Sequence, residues 1–220
     1  SSTGLPNNLS ELISIAFSKK KYMVGNYSKI ITANVENINN LNDLINASWT
    51  PISATDITNV RGLEYSNYND LDTWVVATDN NSSNIILSYD DGETWEWQIN
   101  KNVNTYINGY AIGIATDGFG KWVLTGAISD FRLGITYSHD NGHTWNEGVV
   151  INSGSYFWRG SLTAYWSGKY FIVASVNGTQ FSSSYRGFAY STDGHEWTKA
   201  SGHMFEYAQG IFSNKEEHIK

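Results

Sequence analysis

Ser88-Tyr89-Asp90-Asp91-Gly92-Glu93-Thr94-Trp95 returns as Ser138-His139-Asp140-Asn141-Gly142-His143-Thr144-Trp145 and, one residue shorter, as Ser191-Thr192-Asp193-Gly194-His195-Glu196-Trp197. Together with Trp49, the closing tryptophans are spaced 46, 50 and 52 residues apart, so the chain repeats a unit of that size and its first copy is degenerate. Each unit carries two more landmarks. An apolar run precedes each tryptophan: Tyr22-Met23-Val24, Trp74-Val75-Val76-Ala77, Trp122-Val123-Leu124, and the stretch from Tyr170 to Ala174. A glycine opens another apolar run at Gly62, Gly109, Gly160 and Gly210, and the stretch from Leu12 to Ala16 fills that slot in the first unit. Short β-branched and aromatic runs bounded by Gly, Asn and Asp are buried strands. Each unit therefore reads as strand A, strand B, strand C leading into the box, and strand D starting near the box tryptophan.

Four short antiparallel strands at this period predict an all-β fold, a β-propeller of four-stranded blades, which pack radially because no blade buries both faces alone. The repeats span 9–55, 56–103, 104–152 and 153–203, with a partial fifth at 204–220, in a single propeller region over 1–220. Gly210-Ile211-Phe212-Ser213 reproduces strand A, and Lys220 falls where strand B is due. This predicts part of a larger propeller of about five to eight blades, with a four-bladed ring as the alternative.

Composition narrows the function. A content of 40% hydrophobic and 15% aromatic residues supplies a β core, and a net charge of −7 argues against nucleic acid as partner. With no cysteine, disulfides and thiolate metal sites are excluded. No apolar run reaches the length of a membrane span. Asp90-Asp91-Gly92 lacks the oxygen-ligand series of a calcium loop, and His139, His143 and His195 occupy variable box positions, with His195 on a different unit from the other two. No metal or cofactor is expected.

The repeated segments resemble the Asp-box, or BNR repeat, of sialidases and other propeller proteins, with Ser88, Asp90, Gly92 and Trp95, Ser138, Asp140, Gly142 and Trp145, and Ser191, Asp193, Gly194 and Trp197 in place. The resemblance implies a structural motif lying away from the ligand. The chemistry agrees: the glycine suits positive φ, the short carboxylate accepts from turn amides, and the tryptophan, expected to be largely buried, anchors the hairpin.

Up-and-down strand order puts the A-to-B and box connections on one face and the B-to-C and D-to-A connections on the other. All four arginines map to the face opposite the boxes, Arg61 and Arg159 before strand A and Arg132 and Arg186 before strand C. The slot ahead of the strand-A glycine reads Arg61, Asn108, Arg159 and Gln209, a polar ring at the channel mouth, where Tyr156 and Trp158 add surfaces for sugar rings. The expected ligand is a glycan or another acidic surface ligand.

A sialidase would need three arginines, a Tyr/Glu nucleophile pair and an acid/base Asp. The family's Arg-Ile-Pro motif is missing, Phe131-Arg132-Leu133-Gly134 lies in a B-to-C connection, and no spacing singles out a pair among Asp56, Asp79, Asp130 and Glu206. No residue is assigned as catalytic. The sequence reads as a non-catalytic binding or attachment module, extracellular or virion-associated, in the style of phage-tail or bacterial-surface propellers. The parent protein's remainder or another chain would cover the C-terminal edge. A sialidase-like glycoside hydrolase and an assembly scaffold are the alternatives.

Overall fold

The computed structural model describes residues 14–26, 29–34, 36, 40–52, 57, 59–78, 85–98, 111–127, 133–151, 161–176 and 187–200. The first sheet comprises β1 (Ser14–Phe17), β2 (Lys21–Gly25), β3 (Ile30–Asn34) and, after the helix α1 (Leu41–Asn46), β4 (Thr50–Pro51). The second comprises β5 (Val60–Tyr68), β6 (Leu71–Thr78), β7 (Ile85–Ser88) and β8 (Glu96–Trp97), and the third β9 (Ala111–Thr116), β10 (Trp122–Ala127), β11 (Leu133–Ser138) and β12 (Asn146–Glu147). After β13 (Val149–Ile151), the fourth comprises β14 (Ser161–Trp166), β15 (Phe171–Val176), β16 (Gly187–Ser191) and β17 (Glu196–Lys199). Within each sheet these strands pair antiparallel in sequence order, and the first strands β1, β5, β9 and β14 pack against one another in series. The fold is an all-β propeller arrangement of blades with the first strand innermost.

Three details depart from uniform four-stranded blades. The fourth sheet has a fifth strand, because β13 leaves blade three and pairs parallel to β17. That covers an edge of unpaired backbone groups. In blade one, α1 stands where the box turn would be, started by a capping box in which the Asn40 side chain accepts from Asn42 N and Asp43 N. Its Leu44 and Ala47 pack with Trp49 over Val24, Ile31 and Ala33. A bulge at Arg61, between the pairs Val60↔Thr78 and Gly62↔Ala77, recurs at Ile112, between Ala111↔Gly126 and Gly113↔Thr125.

The core lies between blades. Met23, Leu63, Trp74 and Val76 join blade one to blade two; Val75, Leu87, Trp122 and Trp145 join two to three; Val123, Ile135, Phe171 and Trp197 join three to four. Each such side chain, when fully buried, contributes about 1.5–3 kcal/mol. Successive residues of a strand therefore serve different junctions, as the period of two requires.

Buried indoles impose a polar requirement. Trp74 Nε1 donates to Asp91 Oδ1 at 2.9 Å, and Trp122 Nε1 to Asn141 Oδ1 at 3.0 Å. Asn141 Nδ2 in turn donates to Thr73 Oγ1 of the preceding blade at 2.6 Å. In blade four the matching strand residue, opposite the box serine, is Phe171, whose side chain has no N–H, and the shortened box lacks the residue at the Asp91/Asn141 position. Removing the acceptor alone orphans a buried donor. Asn141→Leu is therefore expected to lower unfolding stability in urea by about 2–3 kcal/mol, and Trp122→Phe added to it to show a favourable coupling of about 1 kcal/mol. Strictly additive losses would refute the assigned pairing.

Candidate functional site

The box turns share one geometry. Asp90 Oδ1 accepts from Thr94 N at 2.9 Å and Ser88 Oγ at 2.8 Å, while Thr94 Oγ1 donates to Asp90 Oδ2 at 2.6 Å. Asp140 repeats this with Thr144 N at 2.8 Å, Ser138 Oγ at 2.8 Å and Thr144 Oγ1 at 2.6 Å. In the shorter box Asp193 Oδ1 accepts from His195 N at 2.9 Å and Glu196 N at 3.3 Å. The serine hydroxyls accept from Gly92 N, Gly142 N and Gly194 N at 2.8, 2.9 and 2.9 Å. Each box tryptophan closes the turn, its Nε1 donating to Gly92 O, Gly142 O or Gly194 O at 3.0, 2.9 and 2.7 Å. Trp49 bonds Leu44 O at 3.4 Å in the same manner, so α1 substitutes for a box. Trp145 and Trp197 are fully buried, but Trp95 is only half-buried. By register, the strand position facing it on the preceding blade is Thr32, where the other junctions have Leu87 and Tyr137.

The glycines are needed twice over. Gly142 has φ 89°, and a Cβ there would sit 2.8 Å from Leu87 Cδ2; at Gly194, φ is 81° and a Cβ would sit 2.8 Å from Val123 Cγ2. Both neighbours belong to the preceding blade, so a side chain would strain the turn and push the blades apart. Polar contacts cross the same seams. Lys21 Nζ donates to Asp91 O at 2.9 Å and also pairs with Glu93. Gln98 Nε2 donates to Gly142 O and His143 O at 3.1 Å each. His139 Nε2 lies 2.6 Å from Asp193 O, and His143 stacks on Tyr89 with ring centroids 4.5 Å apart. The box histidines thus serve blade junctions. Among the described residues no group of three His, Cys, Asp or Glu is arranged to hold a metal ion.

On the opposite face, Arg61 is described: it is the half-buried bulge residue of β5. Asn108, Arg132, Tyr156, Trp158, Arg159, Arg186 and Gln209 lie outside the described residues. Register corrects the proposed slot. Tyr65↔Trp74 and Thr116↔Trp122 make Gly113, not Gly109, the counterpart of Gly62, so Arg61 matches Ile112 rather than Asn108. Glycine spacing misses this because the unit holds both Gly109 and Gly113, and only pairing with the next strand tells which one matches Gly62. In blade four the described pairs, from Ser161↔Val176 to Trp166↔Phe171, run without a bulge. The box side holds an open groove of about 520 Å³ lined by Ile15, Phe17, Ser18, Lys19, Glu64 and Tyr65, residues the sequence reading did not single out. Its Tyr65 hydroxyl bonds Asp72, which also accepts from Asn67 Nδ2 at 2.7 Å. Burial and the Asp72 carboxylate push the Tyr65 hydroxyl pKa up.

No family model matches the chain, and no curated protein does. Among solved structures it is similar to the computationally designed Ika8 protein, with 11% identity, a TM-score of 0.53, and coverage of 91% of this chain and 52% of that one. The chain thus spans about half the length of that protein. A GH43_1 enzyme from Xanthomonas citri complexed with xylose aligns at 8% identity, TM-score 0.45, over 85% of this chain and 71% of that one. A mutant of the NanB sialidase from Streptococcus pneumoniae aligns at 16% identity, TM-score 0.41, over 70% and 27%. At these identities the likeness concerns the fold alone.

Burial opposes ionisation of Asp90 and Asp140, but the hydroxyl and amide of Thr94 or Thr144 outweigh it and hold both carboxyls below the ordinary range. Asp193 is lowered likewise, burial being outweighed by His195 N and Ser191 Oγ. With folded values below unfolded ones, this stabilisation is complete above the ordinary Asp pKa of about 4 and drains as pH falls through the folded values. Asp140→Ala is expected to lower stability by about 1–2 kcal/mol at neutral pH. The gap from wild type in urea midpoints should narrow below about pH 4. A gap independent of pH would show that the ionised carboxylate is not what holds the turn.

Proposed function

We propose that the chain is a non-catalytic binding or attachment module of the Asp-box type, recognising a glycan or another acidic surface ligand on the face opposite the box turns. One observation carries this reading: the box carboxylates Asp90, Asp140 and Asp193 are each engaged by donors of their own turns, and those turns seat on the preceding blade. Groups so engaged hold structure and are poorly placed to serve as free acids, bases or ligand contacts. The residues offered for binding are Arg61, at the axial end of an inner strand, with Arg159, Arg132 and Arg186 in connections of the same face by strand order. A guanidinium fork suits a carboxylate-bearing sugar. A module of this kind fits an extracellular or virion-borne setting such as a phage tail or a bacterial surface. No described helix is long and apolar enough to cross a membrane.

An array of acidic and neutral glycans tests the proposal. Acidic glycans should bind, and Arg61→Ala and Arg159→Ala should each weaken binding about tenfold or more, the effect of losing one charged hydrogen-bonding partner. Lys121→Ala, on the box side, and Asp140→Ala should change it little. Equal losses for arginine and lysine variants would indicate nonspecific charge, and turnover of reporter glycosides would establish a hydrolase instead.

A further inference from the structure

One box position is chemically unlike its counterparts. The residue ahead of the box glycine is Asp91 in the first full box and Asn141 in the second, and the shortened third box has none. In a flexible chain an Asn-Gly pair such as Asn141-Gly142 is the one most prone to deamidation, because glycine has no side chain to hinder ring closure by its backbone nitrogen. The reaction joins Gly142 N, which gives up its proton, to Asn141 Cγ. The side-chain nitrogen leaves with that proton as ammonia, and water then opens the succinimide to aspartate or, for the greater part, isoaspartate.

The folded chain holds each of these groups elsewhere. Asn141 is buried, its Oδ1 accepting from Trp122 Nε1 at 3.0 Å and its Nδ2 donating to Thr73 Oγ1 at 2.6 Å. The side-chain amide cannot turn toward Gly142 N without breaking both bonds. Gly142 N itself donates to Ser138 Oγ at 2.9 Å, and Asn141 N donates to Gly120 O at 2.9 Å. Thr73, fully buried, and Leu87, on which Gly142 seats, both belong to the preceding blade. The reactive geometry is therefore reached only when the junction between blades two and three opens. We propose that Asn141 is a latent modification site whose deamidation is gated by that junction. While the junction is closed the amide persists, and each opening exposes it to a conversion that cannot be undone. Isoaspartate adds a backbone atom to a turn in which a Cβ on Gly142 would already stand 2.8 Å from Leu87 Cδ2, so the converted turn no longer seats on blade two.

Peptide mapping of the full chain, kept in mildly alkaline buffer either folded or in guanidinium chloride, is the test. Trypsin releases residues 133–159 by cleavage after Arg132 and Arg159, and Asn141-Gly142 is the one Asn-Gly pair of that peptide, so Asn108-Gly109 and Asn177-Gly178 do not interfere. Conversion of Asn141 should be at least about tenfold slower in the folded chain than in the unfolded one. Thr73→Val, which removes the hydroxyl at similar volume, should raise the rate in the folded chain severalfold, with circular dichroism confirming the fold. It should leave the unfolded rate unchanged, because Thr73 is 68 residues from Asn141 in sequence. Thr73→Ser should restore the slow rate. When a chain aged in guanidinium chloride is refolded, the fraction that recovers the native spectrum should be depleted in isoaspartate at position 141. Equal rates in the folded and unfolded wild type, a folded Thr73→Val as slow as wild type, or equal isoaspartate content in the refolded and unrefolded fractions would each overturn the proposal.

Discussion

The architecture depends on the seating of each box glycine against the preceding blade. Gly92, Gly142 and Gly194 hold φ of 81°, 89° and 81°, and all three meet side chains of the neighbouring sheet where a Cβ would stand. The turn is thus both the end of its own hairpin and the wedge that sets blade spacing. Its carboxylate, serine and indole bonds keep the backbone in a left-handed conformation that only glycine adopts cheaply. Burial of aliphatic and aromatic side chains between sheets supplies the larger free energy, but it is non-directional and does not choose an angle. The box chooses it.

Burying large indoles has a consequence. Trp74 and Trp122 are fully buried, and a buried N–H must find an acceptor. The residue before the box glycine, Asp91 or Asn141, provides it and adopts a left-handed backbone to do so, with φ of 57° and 58°. Asn and Asp tolerate that conformation better than other side chains. Where blade four has Phe171 instead, that box position is missing altogether. Two changes far apart in the chain are one change in the structure, which is why the third box is shorter without being defective.

Polar chemistry is divided between the two faces for the same reason. On the box side, Lys21, Gln98 and His139 reach across to carbonyls of the next blade's turn. Groups committed in this way hold blades together. The groove beside Phe17 and Tyr65 lies on that side too, and Ile15 and Phe17 in its lining are exposed. The opposite end of the inner strands, with Arg61 on a bulge, has no box to maintain.

The strand pattern and blade period were legible in the sequence because a two-residue alternation and a recurring turn motif are local properties, written within each unit. The turn roles of Asp90, Asp140 and Asp193 were legible for the same reason: their partners lie within four residues. Missed were the helix replacing the first box, the parallel strand of Val149–Ile151, and the register that matches Gly62 with Gly113 and so puts Arg61 in line with Ile112. These depend on which neighbour pairs with which edge, and no local signal encodes that. The acceptor role of Asp91 and Asn141 left a trace, the joint loss of box residue and strand tryptophan in the fourth unit, but its meaning needed the indole and amide in contact. By itself the sequence determined the repeat, the strands and the turns, because local sterics and alternation suffice for them. Only tertiary structure decided register, blade seating and which apolar positions are buried between blades, because those follow from contacts between residues distant in the chain.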